Sequence, residues 1–112
     1  MNVLFVCTLN RARSVAAERL YRKTPGLSVR SGGTDDRAAH QVTEQDLAWA
    51  DRIIVFEAGH AAWLRSTFAG EIPEIIDLGI PDEFAADDPQ LMVELRESLE
   101  TVLGEPGHRR GR

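Results

Sequence analysis

The residues of this chain best suited to chemistry stand together at positions 7 to 14, CTLNRARS. Cys7 is the only cysteine, and Arg13 and Ser14 follow it after five intervening residues. An apolar run, NVLFV, leads into the cysteine, and SVAAERLYRK, which reads as a helix, begins at Ser14. The thiol therefore falls where a buried strand gives way to a helix. Such a turn leaves backbone N–H groups without helical partners, and with the helix dipole they make an anion site. The field that holds an anion there also stabilises a thiolate. Arg13 adds a planar fork of donors matched to a phosphate, and Ser14 can donate to the sulfur. The spacing supports a phosphate trap with a nucleophile at its floor.

Those residues need elements to position them. The chain has 112 residues, enough for one domain with one modest core. NVLFVC (2–7), LSVRS (27–31), RIIVF (52–56) and EIIDL (74–78) read as strands, the second ended by GGT. The helix from Ser14 points Val15, Leu20 and Tyr21 inward and Glu18, Arg19 and Arg22 outward. TEQD (43–46) fits a capping box, with Thr43 as N-cap, opening a short helix that carries Leu47 and Trp49. AGHAAWLRSTF (58–68) suits a helix with Trp63, Leu64 and Phe68 inward and His60 exposed; Trp49 and Trp63 read as core residues. Asp88 as N-cap and Pro89 at the first helical position open a last helix, where Leu91, Leu95, Leu99 and Val102 recur at helical spacing.

Four buried-type strands alternating with helices predict an α/β fold, a four-stranded parallel sheet with helices on both faces in a three-layer sandwich. Such sheets bind ligands beyond the C-terminal ends of their strands, near the switch point. Cys7 lies at such an end, as does the loop GIPDEFAA (79–86) after the fourth strand. The domain is expected to span 1–104, with 105–112 a flexible basic tail. The net charge of −5 opposes nucleic-acid binding. A single cysteine fits a reducing compartment, and neither a membrane-length apolar run nor a signal-peptide pattern is present. A cytoplasmic protein without a membrane partner is the expectation.

VLFVCTLNRARSVAAERL resembles the signature of the low-molecular-weight protein tyrosine phosphatases: strand, Cys, two residues, Asn, two residues, Arg, Ser or Thr, helix. Cys7, Asn10, Arg13 and Ser14 match it. VRSGGT is similar to that family's SAGT strand end, QVTEQDLAWADRIIVFEAGHAAWL to its helix, buried strand and next helix, and IPDEF to the loop that carries its general acid. The resemblance covers roughly residues 2–103. The connection DDRAAHQV is shorter than the family's usual one, as in a compact bacterial branch.

The resemblance implies that Cys7 attacks phosphorus and forms a phosphocysteine. Arg13 and the backbone N–H groups of 8–13 would bind the equatorial oxygens, so that Thr8, Leu9, Asn10, Arg11, Ala12, Arg13 and Ser14 form the phosphate-binding loop. Asn10 would shape that loop, with Ser31 supporting Asn10 from behind. No metal and no cofactor are implied. The substrate would be a phosphorylated protein, above all a phosphotyrosine, or a small phosphomonoester. Asp82 would be the acid, although Pro81-Asp82-Glu83 departs from the family's Asp-Pro, and Asp87 and Asp88 stand as alternatives. Arg11 replaces a usually apolar residue and either raises the potential at the rim or is simply solvated. Counting back to the family's supporting histidine gives Arg37, with His40 three positions later. Phe84 either lines the entrance or packs in the core. Ala12 stands where many members carry a second, protective cysteine. Two other readings stay open: an arsenate reductase using an external thiol, and a non-catalytic phosphate- or phosphoprotein-binding module.

Overall fold

The computed structural model describes residues 1–107. Strands β1 (Asn2–Cys7), β2 (Ser28–Gly33), β3 (Arg52–Val55) and β4 (Glu74–Asp77) form one parallel sheet in the order β2-β1-β3-β4. Helices α1 (Arg13–Tyr21), α2 (Glu44–Trp49), α3 (Ala58–Thr67) and α4 (Pro89–Leu103) follow the four strands in turn.

The alternation of side chains along β1 explains the three layers. Val3, Phe5 and Cys7 face a core shared with Ala16, Ala17 and Tyr21 of α1 and Leu91, Leu95 and Leu99 of α4. Leu4 and Val6 point the other way, into a second core with Leu47 of α2 and Leu64 of α3. Each fully buried leucine contributes about 1.5–3 kcal/mol of burial free energy. The chain leaves β1 for β2 on one side and then returns past β1 to β3 on the other. The C-terminal end of β1 is therefore the switch point, and Cys7 occupies it.

The expected caps are present. Thr43 and Asp46 form a reciprocal capping box on α2, and Asp88 caps α4 ahead of Pro89. Other details differ from expectation. Gly32 and Gly33 do not end β2 but continue it. A Cβ at Gly33 would stand 2.5 Å from the Thr8 carbonyl oxygen and 2.7 Å from Ala38 Cβ, so glycine lets the strand pass against the loop that follows β1. On α1 the buried positions are Arg13, Ser14, Ala16, Ala17 and Tyr21, with Val15 and Leu20 only half-buried. Glu18, read as outward, is half-buried and accepts a hydrogen bond from Ser31. His60, read as exposed, is buried. The tail expected from residue 105 lies largely outside the described residues. Among those residues, no helix is long and apolar enough to cross a membrane.

Candidate active site

Residues 8–12 link β1 to α1 as a loop whose carbonyls are held from outside. Thr34 N–H donates to the Cys7 carbonyl at 3.0 Å, Asp35 N–H to that of Thr8 at 3.0 Å, and Ala39 N–H to that of Leu9 at 3.1 Å. Asn10 makes the bend at φ 55°, a left-handed conformation that asparagine tolerates better than most residues. The loop's N–H groups are left over: from Thr8 to Ser14 none donates a hydrogen bond within the described residues. No side chain caps α1 either. The first turn of the helix thus keeps its orphan donors and the positive end of its dipole for whatever occupies the loop.

A cavity of about 60 Å³ lies inside, lined by Cys7, Thr8, Leu9, Arg11, Ala12, Arg13 and Asp82. At about 15 Å³ per water-sized group it has room for about four, the size of one tetrahedral oxyanion. Cys7 is a free thiol with 3% of its surface exposed. Its Sγ lies 3.0 Å from Ser14 Oγ. Asn10 Nδ2 donates to that same Oγ at 2.9 Å. With its oxygen already accepting from Asn10, the Ser14 hydroxyl is free to direct its proton at the sulfur.

Arg13 is the largest fully buried side chain, 1% exposed. Its Nη1 donates to Glu57 Oε2 at 2.8 Å and to the Ile80 carbonyl at 2.9 Å. Its Cζ lies 6.0 Å from the centroid of the Phe56 ring. Its Nη2 is 3.9 Å from Asp82 Oδ2. Arg13 Nε is buried and has no partner. An unsatisfied buried donor on a charged group costs upwards of about 1–3 kcal/mol. An oxyanion in the adjoining cavity would supply the missing acceptor.

No family model and no curated protein matches the chain. Solved structures do match it. A low-molecular-weight protein tyrosine phosphatase from Streptococcus pyogenes is 18% identical with a TM-score of 0.72, the match covering 91% of this chain and 93% of that one. The fold is that of the low-molecular-weight protein tyrosine phosphatases. YfkJ from Bacillus subtilis is 25% identical with a TM-score of 0.70, covering 92% of each chain. The YwlE arginine phosphatase from Geobacillus stearothermophilus is 21% identical with a TM-score of 0.66, covering 87% of this chain and 84% of the other.

Within this phosphatase fold the remaining candidates separate. Asp82 stands on the cavity wall, its side chain 62% exposed. Asp88 accepts from Gln90 N–H as the helix cap, and neither it nor Asp87 lines the cavity. Arg11 is exposed at the rim. Ser31 does not bond Asn10; its hydroxyl is turned to Glu18, although it lines a separate cavity of about 440 Å³ together with Asn10. Arg37 pairs with Asp35, and His40 Nε2 is 2.8 Å from Asp46 Oδ2, so neither supports Asn10. Burial raises the Asp46 carboxyl, but Thr43 N–H and His40 outweigh it and hold the group below its usual range. Phe84 packs against the first core, and Trp49 and Trp63 against the second.

Two further side chains at this site escaped the sequence reading. Glu57 directly follows β3 and Phe56, beside the end of β1, and anchors Arg13; the Arg13 hydrogen bond holds its carboxyl below the ordinary value, against partial burial. The signal was an acid at the C-terminal end of a strand neighbouring the nucleophile's. His60, one turn into α3, accepts from Phe56 N–H on Nδ1 at 3.3 Å and lies 3.0 Å from Thr8 Oγ1 through Nε2. Its burial was the part the sequence concealed.

Proposed function

We propose that this chain is a cysteine-dependent phosphomonoester hydrolase of the protein tyrosine phosphatase type, acting in the cytoplasm on phosphorylated proteins. The observation that carries the reading is Arg13, which lines an oxyanion-sized cavity together with Cys7 and whose buried Nε has no acceptor. An arginine used only to brace the fold would have its donors satisfied by protein acceptors.

The chemistry follows from the geometry. Cys7 Sγ attacks phosphorus opposite the leaving oxygen; the S–P bond forms as the P–O bond breaks. The free N–H groups of the loop and Arg13 hold the three remaining oxygens and the charge that grows on them. Asp82, protonated, gives its proton to the departing oxygen. A water then attacks the phosphocysteine and loses its proton to the Asp82 carboxylate. Phosphate departs, and the sulfur leaves as a thiolate stabilised by the Ser14 hydroxyl. Asp82 is preferred to Asp87 and Asp88 because it lines the cavity and is not engaged as a helix cap.

One observation favours a second substrate. Glu57, Asp77 and Asp82 line a cavity of about 430 Å³ that shares Asp82 with the phosphate site, and such a wall suits a cationic leaving group such as the guanidine of phosphoarginine. The test is hydrolysis of p-nitrophenyl phosphate in chelator from pH 4.5 to 8, followed by phosphotyrosine and phosphoarginine peptides. Turnover should vanish in Cys7→Ser and fall sharply in Asp82→Ala. An unaffected Asp82→Ala would move the acid to Asp87 or Asp88. A wild type that binds orthovanadate but turns nothing over refutes the hydrolase. Preference for the phosphoarginine peptide would establish the second substrate.

A further inference from the structure

The phosphate loop has two polar supports. One is the Asn10–Ser14–Cys7 chain described above. The other enters from α3 and has no part yet in the chemistry. Phe56 N–H donates to His60 Nδ1. A ring that accepts at Nδ1 while neutral carries its proton on Nε2, so Nε2–H donates to Thr8 Oγ1 at 3.0 Å. The Thr8 hydroxyl then has one proton of its own to give and no protein acceptor for it among the described residues. Thr8 lines the phosphate cavity.

We propose that His60 is a positioning residue: as the neutral Nε2–H form it fixes the Thr8 hydroxyl so that this hydroxyl donates to a phosphoryl oxygen in the cavity. The inference rests on the phosphate-site reading above. It makes oxyanion binding sensitive to the state of the ring. A proton added to the ring must go on Nδ1, where it meets Phe56 N–H, donor against donor. The hydrogen bond that orients the imidazole is lost, and the Thr8 hydroxyl loses its fixed direction.

Charged groups face His60 from several elements. Burial, the largest influence, pushes its pKa below the ordinary value. Glu57, at the start of its own helix and 3.7 Å from Nε2, pulls the other way. Arg13 of α1 adds to the lowering, while Asp77 of β4 and Asp82 of the following loop oppose it. The net direction keeps the ring neutral at pH 7 and sets its protonation on the acid side of about 6.5.

The test uses tungstate, a dianion across pH 5 to 8, so that binding is read apart from turnover. The pH dependence of tungstate affinity is compared in the wild type and in His60→Gln, whose amide donor reaches Thr8 but does not titrate. The ring itself is followed by nitrogen chemical shifts. The expected result is a wild-type affinity that falls in step with His60 protonation, and a His60→Gln affinity that keeps its neutral-pH value without that fall. Thr8→Val and His60→Ala should each weaken tungstate about tenfold, and the double variant no further than the weaker single, because both remove one relay. A His60→Gln profile that tracks the wild type, or losses that add in the double variant, overturns the inference and leaves the phosphatase reading standing. Failure of the wild type to bind tungstate sinks the phosphate site itself, and this inference with it. Tungstate results as expected without p-nitrophenyl phosphate turnover would leave this inference standing for a phosphate-binding protein.

Discussion

Gly33→Ala should damage the phosphate loop from behind without altering any side chain of the site. The added Cβ would sit 2.5 Å from the Thr8 carbonyl oxygen, 2.7 Å from Ala38 Cβ and 3.1 Å from Asn10 N. Two of those three neighbours are backbone atoms of the loop, so no side-chain rotation relieves the contact. The Thr8 carbonyl is also fixed from the other side by Asp35 N–H at 3.0 Å. To reach ordinary contact the loop must move by nearly 1 Å, and overpacking of this kind costs about 1–3 kcal/mol. For a domain of this size each kcal/mol lowers Tm by about 4 °C, so a fall of about 4–12 °C is expected. A displacement approaching 1 Å at a reacting centre costs about 10²-fold in rate, so kcat/KM for p-nitrophenyl phosphate should drop by about that factor. Gly59→Ala is the matched control: it lies in α3 with nothing within 4 Å of its would-be Cβ. It should stabilise the protein by about 0.5–1 kcal/mol and leave kcat/KM alone. Thermal melts and steady-state kinetics on the two variants decide the matter. A Gly33→Ala protein with wild-type Tm and kcat/KM would falsify the claim that glycine is there to admit the loop.

Glu57→Gln should lower kcat/KM about tenfold or more by loosening Arg13, measured against p-nitrophenyl phosphate. The Glu57 carboxyl is held below its unfolded value by Arg13, so its contribution to stability is present above about pH 4.5 and is lost as pH falls below that. The carboxylate is half exposed, so the variant should flatten the acid slope of stability by no more than about 1 kcal/mol. Asp82→Asn should reduce kcat by about 10²–10⁴-fold for substrates with poor leaving groups and much less for good ones; equal losses across a leaving-group series would remove it as the acid. Tyr21, the only tyrosine, donates to the Gly104 carbonyl at 2.8 Å, and burial, helped by Glu100, pushes its pKa up to about 12. Because the folded value lies above the unfolded one, stability is intact below pH 10 and drains away between about pH 10 and 12. Absorbance at 295 nm should show the native protein titrating near 12 and the urea-unfolded protein near 10; a native midpoint near 10 would refute the assignment.

Local pattern makes β1, the turn at Cys7 and Arg13, and the caps at Thr43 and Asp88 readable in the sequence alone. Each depends on residues within a few positions of one another. What stayed hidden depends on partners far along the chain. Gly32 and Gly33 read as a strand break because glycine commonly ends strands, whereas here the loop at Thr8 comes close enough to require its absent Cβ. His60 read as an exposed helix residue and Glu57 drew no notice because the groups they serve, Thr8 and Arg13, lie 52 and 44 positions away. Ser31 was expected to meet Asn10, but Glu18, one turn into α1, lies nearer and takes its hydroxyl. The larger part of the site was legible as residue types; the supports behind it were not.

The placement of β1 in the middle of the sheet also fixes when in the life of the chain the site can exist. β1 is made before both of its partners, β2 and β3, the latter beginning at Arg52. At about 5–20 residues per second, this apolar strand waits roughly 3–10 s during synthesis before both of its edges can be paired. That interval is the one in which a nascent-chain chaperone has most to shield. Cys7 emerges with this strand, but Glu57 and the Ile80 carbonyl that orient Arg13, and Asp82 beside it, arrive 50 to 75 residues later. A ribosome-bound fragment halted before residue 80 would thus carry the thiol without the clamp that makes it a catalyst.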